Sequence, residues 1–275
     1  MFGQLFDFRL DRGLADVEGT VHRDVSLRVP DGRTEETLAS ASGIHMRALT
    51  SHDLIADRIA KLGGYAAPSS DLVAVLSVTD RARIVLELRR AVLGDRLLLG
   101  TVCTNPACGT EVDLDITVSE LLAATGTETP QTIAVPLEDG REISVRPVLG
   151  TDDPEAKDIW PDLAENDPAW ADLSPEDRQH AALALMRAEG GPQLGIAVRC
   201  PDCHLPIEIE LDPLELLSRE MSLGARRLLA EIHCLAFHYG WSEDAILDLP
   251  RARRWRYLSL ITEQLTGGSL ATDWG

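Results

Sequence analysis

The sequence predicts an α+β fold: two duplicated helix–strand–knuckle–strand units that share one cysteine site, followed by an all-helical C-terminal region. Three observations predict it. The stretch TVCTNPACGTEVDLDITVSELL (residues 101 to 122) recurs in form as AVRCPDCHLPIEIELDPLELL (residues 197 to 217). In both, apolar residues alternate with period two beside a pair of cysteines, the pattern of half-buried strands. Beyond residue 221 the pattern changes to helical spacing with helix starts and stops and no strand signature.

The repeat is read from offsets. Cys103 and Cys200 stand 97 apart, as do Asp80-Arg81 and Asp177-Arg178 upstream. Glu120-Leu121-Leu122 and Glu215-Leu216-Leu217 stand 95 apart, so the two-residue slip falls inside the knuckle. The first knuckle is C-x-x-x-x-C (Cys103, Cys108) and the second C-x-x-C (Cys200, Cys203). A weaker outer match sets Leu27-Arg28 on Val145-Arg146 and Gly32 on Gly150.

The elements follow in order. Residues 1–19 read as an N-terminal segment, 20–130 as the first repeat and 131–221 as the second. Residues 222–266 read as the helical region and 267–275 as a flexible tail. In the first repeat a helix starts near Asp80, with Thr79 able to cap it, and turns Ile84, Val85, Leu88 and Val92 to the core. Gly94-Asp95 ends it. In the second, Ser174-Pro175-Glu176-Asp177 has a cap, a proline at the first helical position and an acid three residues after the cap. Gly190-Gly191 ends that helix. RLLLGTV and QLGIAV lead into the knuckles; EVDLDI and IEIELD lead out. QTIAVPLEDGREISVRPV reads as a hairpin turning at Asp139-Gly140. Further on, a helix runs to about Tyr239 and stops at Gly240. Ser242 caps the next one, and Leu249-Pro250 precedes the last.

Two facing knuckles supply four thiolates, enough for one tetrahedral metal at about 2.3 Å per bond. Cys103, Cys108, Cys200 and Cys203 are therefore the candidate ligands of a structural zinc in a zinc-ribbon-like site, each repeat giving half. A metal-free relic and a redox disulfide are the other readings. A redox C-x-x-C opens a helix, whereas each pair here lies between strands. His204 follows Cys203 and reads as a turn residue rather than a ligand. Cys234, in a helical apolar pattern, reads as a small core residue.

The chain of 275 residues is 44% hydrophobic and 4% aromatic, and its 26 basic and 45 acidic residues give a formal charge of −19. Such a surface repels phosphate backbones and anionic lipid, so neither nucleic acid nor membrane is an expected partner. No apolar run approaches the roughly 18 residues of a membrane span. MFGQLFDFRLDRG lacks the basic and apolar regions of a signal peptide, so the expected location is cytoplasmic. There is no serine-nucleophile elbow, phosphate-binding glycine loop or HExxH. His233 and His238, and His45 and His52, have no partner motif. The expectation is a protein without a catalytic residue.

Charge is unevenly laid out. Asp152 to Asp177 holds ten acids and one base, with Trp160 and Trp170 among them. LPRARRWRYLSLI holds Arg251, Arg253, Arg254 and Arg256 with no acid, beside Trp255 and Tyr257. An exposed helix face is the plain reading. Because Arg, Trp and Tyr are enriched at binding hot spots, Trp241, Arg253, Arg254, Trp255 and Tyr257 are the candidate partner-binding residues.

VHRDVSLRVPDGRTEETLA, VTDRARIVLELRRAVLGDRL, the two knuckles and IHCLAFHYGWSEDAILDLPRARRWRYL together resemble a family of bacteriophage tail proteins, the baseplate hub assembly chaperones of T-even-type phages, as found in gene clusters for contractile injection systems. The resemblance covers roughly residues 20 to 262. Its first knuckle is two residues longer than the family pattern, and its second lacks the Gly that often follows the second Cys. The resemblance implies a cytoplasmic, non-enzymatic assembly factor that binds hub or spike proteins of a phage tail-like particle. A permanent structural baseplate component is the second expectation, and a zinc-ribbon nucleic-acid binder, disfavoured by charge, the third. A redox enzyme ranks behind these.

Overall fold

A computed structural model describes residues 5–40, 50–123, 131–137, 140–152, 163–164, 173–188 and 192–266. The expected turn residue Asp139, the Gly190-Gly191 stop, His45, Trp160, Trp170 and the 267–275 tail lie outside the described residues.

The chain opens on an antiparallel pair, β1 (Leu5–Ala15) and β2 (Val21–Arg28). Phe6, Phe8 and Leu10 alternate toward one face. The register then shifts between Arg9 and Leu14, and residues 10–14 are all buried. Gly13 sits in this irregularity at φ +76°, where a Cβ would meet the His22 carbonyl oxygen at 2.5 Å, so glycine is required. α1 (Gly32–Ser40), α2 (Thr50–Arg58), β3 (Ile59–Leu62), β4 (Tyr65–Ala66) and α3 (Ser70–Ala74) follow. β3 and β4 complete a four-stranded sheet in the order β1-β2-β3-β4.

α4 (Val78–Leu93) lies across this sheet with Ile84, Val85, Leu88 and Val92 buried, the face expected from spacing. Its cap is Ser77, not Thr79: the Ser77 hydroxyl accepts the Asp80 N–H at 3.1 Å. Gly94 ends the helix at positive φ (+88°), its N–H on the Arg90 carbonyl. Asp80 is fully buried, and its carboxylate accepts the N–H groups of Asp11 (3.0 Å), Arg12 (3.3 Å) and Gly13 (2.7 Å). The irregular turn of β1 is thus held by a charge on α4. Within the expected N-terminal segment, Leu5–Ala15 form β1, and Leu10 and Leu14 join the core cluster that α4 packs on.

β5 (Arg96–Val102) and β6 (Glu111–Thr117) form a hairpin, followed by α5 (Val118–Ala123). β7 (Ile133–Pro136) and β8 (Glu142–Val145) form a second, with Gly140 at φ +84° near its turn. α6 (Pro175–Ala188) covers it through Ala181 and Leu185, and Ser174 accepts the Asp177 N–H as the expected cap. β9 (Gly195–Arg199) and β10 (Pro206–Glu210) form a third hairpin. The described strands are mixed with helices and all pair antiparallel.

Asp212 then caps α7 (Pro213–Tyr239), a helix of 27 residues with proline in its first turn. The boundary expected at residue 221 falls inside it. The apolar face that packs Leu217 and Met221 on the first core continues without interruption into Leu228, Ile232 and Leu235. Gly240 stops α7 at φ +67°. α8 (Glu243–Leu247), capped by Ser242, and α9 (Arg251–Leu265) fold back on it, giving the expected helical end.

Candidate metal centre

The two cysteine hairpins stack by their inner faces. Leu99, Ile116 and Ile196 pack against one apolar cluster, while Val112, Val198, Ile207 and Ile209 join the one around Cys103 and Cys200, as period-two alternation demands. Both knuckles therefore lie at the same end of the stack.

Each knuckle continues its hairpin by one more backbone bond. In the first, the Cys103 N–H donates to the Thr110 carbonyl at 2.8 Å. The Cys108 and Gly109 N–H groups both reach the Asn105 carbonyl, and the Asn105 side chain accepts the Ala107 N–H. The two additional residues are thus taken up in a turn organised by Asn105. In the second, the Cys200 N–H donates to the Leu205 carbonyl and the His204 N–H to the Cys200 carbonyl, both at 3.0 Å. Gly109 and His204, each directly after the second cysteine of its pair, are both left-handed (φ +64° and +58°). His204 occupies the conformation a glycine would favour. It serves the turn and is not among the clustered ligand atoms.

The four sulfurs converge. Cys103 Sγ lies 3.5 Å from Cys203 Sγ, Cys108 Sγ lies 3.7 Å from Cys200 Sγ, and all four lie within 4.8 Å of one another. Tetrahedral ligation at about 2.3 Å requires sulfurs about 3.8 Å apart, so the donor set fits a soft, four-coordinate metal ion. Among the described residues this is the one His/Cys/Asp/Glu group with such geometry. Cys103 and Cys200 are buried, Cys108 is half-buried and Cys203 is exposed. The Asn105 backbone N–H lowers the Cys103 thiol, but burial and the neighbouring Cys203, Cys200 and Cys108 outweigh it and push it up to about 12. The Leu205 N–H, with Cys103 and Asn105, holds the Cys203 thiol below its ordinary value. Four thiols this close cannot all ionise without a compensating cation.

Sequence reasoning did not reach two supporting residues. The Thr110 hydroxyl donates to Asp202 at 2.6 Å across the knuckles, and its oxygen lies 3.1 Å from Cys108 Sγ. No spacing rule marks them; the only signal is a polar residue beside each cysteine pair.

The candidate partner residues are not one patch. Arg254 is fully buried, donating from Nε to Glu231 (2.9 Å), from Nη2 to Glu35 (2.7 Å) and from Nη1 to the Leu249 carbonyl (2.7 Å). It belongs to the interior, a correction to its reading as a surface cation. Trp241 is half-buried, stacked on Tyr239 at 4.9 Å with its edge toward Tyr257 at 4.8 Å. Trp255 is 43% exposed, donates to Glu231 at 2.8 Å, and carries the Arg227 guanidinium over its ring at 4.1 Å. Arg253 is exposed, but two residues from Trp255 on a helix, so the two point to different sides.

Cys234 is half-buried against the C-terminal helices, as expected for a small core residue. Among the described residues no helix is long and apolar enough to cross a membrane. Comparison of the chain with known proteins found no matching family model, no matching curated protein and no matching solved structure.

Proposed function

We propose that this chain is a non-enzymatic assembly factor for the baseplate hub of a phage tail-like contractile injection system, stapled internally by one zinc ion on Cys103, Cys108, Cys200 and Cys203. The observation that carries it is the order of the resembling motifs along the chain, with both cysteine knuckles present and meeting in space. A four-thiolate set fills the coordination sphere of zinc and leaves no position for substrate, so the ion's role is architectural. Helix, strand, knuckle, strand and helix occur in that order twice, with a left-handed residue at the same point of each knuckle. That recurrence supports duplication of one ancestral unit. Trp255 and Arg253 remain the solvent-facing candidates for hub contact, with Trp241 and Tyr257 as the packed frame behind them.

The test is co-expression with the hub and spike proteins of such a cluster, followed by co-purification and mass spectrometry of finished particles. Capture of a hub protein together with absence from the particle supports the assembly role. Retention at fixed stoichiometry makes the chain a permanent component instead, and failure to bind any hub or spike protein rejects both.

A further inference from the structure

α7 buries one side and leaves the opposite side bare. Leu217, Met221, Leu228, Ile232 and Leu235 point inward. Half a turn around the helix, Leu223 is 77% and Phe237 78% exposed. Single exposed leucines are ordinary. Here Leu223, Ala230 and Phe237 follow one another at intervals of seven, so they lie almost in line over about 21 Å of helix. That spacing gives a second helix one apolar position per heptad to lie along, with Arg226 and His233 at the positions between.

The sign of charge on this side is the reverse of the molecule's. From Met221 to Tyr239 the sole acid is Glu231, which is buried and paired with Arg254. Arg226 stands within the apolar line, exposed and in no ion pair among the described residues, and Arg227 borders it. The chain as a whole carries −19. A second copy could set Leu223 against Phe237 in antiparallel array, but it offers Arg226 no carboxylate. At physiological salt charges beyond about 8 Å are screened, so Arg226, not the net charge, decides what lies on this side.

We propose that the solvent face of α7 between Leu223 and Phe237 is a docking surface for an acidic amphipathic helix of a partner protein. Apolar side chains of the incoming helix pack around Leu223, Ala230 and Phe237, and a flanking glutamate or aspartate pairs with Arg226. On one flank the surface is bordered by Arg227, whose guanidinium covers the Trp255 ring, and the inference does not depend on the partner being a hub protein.

The probe is a fluorescein-labelled 21-residue peptide with leucine at heptad positions a and d and glutamate at e and g. Its own like charges keep it from pairing with itself. Fluorescence anisotropy with the full chain should show saturable binding, weakened by added salt and absent for the same peptide with lysine replacing glutamate. Leu223→Glu/Phe237→Glu should weaken binding about 30-fold or more, with an unchanged circular dichroism spectrum because both side chains face solvent. Arg226→Glu should weaken the glutamate peptide and admit the lysine one. No binding of the glutamate peptide, or binding untouched by the double substitution, overturns the proposal. So does a dimer in light scattering that the double substitution dissolves, since the occupant would then be a second copy.

Discussion

Replacing Arg254 by methionine removes a guanidinium with no exposed surface while keeping most of its stem volume. Two carboxylates face it, Glu231 and Glu35, with side chains 7% and 9% exposed. Once Arg254 is gone both remain in the interior with like charge, and the Leu249 carbonyl loses its donor. Breaking a buried pair in this way costs about 3–5 kcal/mol. For a chain of this size that corresponds to a fall in melting temperature of about 10 °C. Glu35→Gln alone should cost less, because Trp255 and Arg254 continue to satisfy Glu231. The Arg254→Met/Glu35→Gln pair should fall short of additivity by about 1–3 kcal/mol, since the second change removes a charge that the first had stranded. Urea unfolding followed by tryptophan fluorescence and far-UV circular dichroism measures all three. A loss below about 1 kcal/mol for Arg254→Met, with strict additivity, would refute the buried network and return Arg254 to the surface.

Three further outcomes are expected. Protein purified without chelator should contain one zinc per chain by elemental analysis, and Cys200→Ser should release it and loosen the two hairpins. Structural zinc contributes about 10–16 kcal/mol of apparent binding energy in finger peptides, and zinc-free protein with unchanged stability would remove the metal from the account. Asp80→Asn should cost about 2–4 kcal/mol, because an amide cannot accept from three backbone N–H groups as a carboxylate does. Hydrogen exchange should quicken at Asp11, Arg12 and Gly13, and unchanged protection there would show that α4 does not hold the strand. Burial alone would raise the Asp152 carboxyl, but the Arg146 fork at 2.8 Å and the Leu149 N–H outweigh it and hold it below the ordinary value. The stability it supplies is complete above about pH 4 and is lost as pH falls through the lower folded value. Asp152→Asn should therefore flatten the acid limb of a stability profile, and an unaltered limb would contradict the pairing.

What the sequence made legible was local. Strand alternation on either side of Cys103 and Cys200, the Ser174 cap and the Gly240 stop are fixed by residues within a few positions of one another. The meeting of the knuckles could be inferred because thiolate chemistry supplies its own long-range rule. The rest lacked such a rule. The irregularity of β1 is set by Asp80, 69 residues from Asp11, and nothing in LDRGLA announces a buried carboxylate. Arg254 stands in a basic run that looks solvated, and only Glu35, 219 residues away, shows otherwise. The cap of α4 is ambiguous in sequence for a smaller reason: Ser77 and Thr79 both carry hydroxyls, and the one three residues before Asp80 closes the bond. The expected break at residue 221 followed the change from strand to helix signals, yet α7 had already begun at Pro213.

The pairing of sulfurs across the chain has a consequence in time. Cys108 and Cys200 are separated by 92 positions, and Cys103 and Cys203 by 100. A ribosome adding about 5–20 residues per second delivers the second pair roughly 5 to 20 s after the first. Throughout that interval the β5–β6 hairpin presents two thiols with no counterpart, and the first core still lacks Leu217 and Met221. Four-sulfur closure cannot precede synthesis of residue 203, and the first core cannot be completed until eighteen residues later, at Met221. The first two thiols therefore stand on the nascent chain without the second pair until residue 203 has been made.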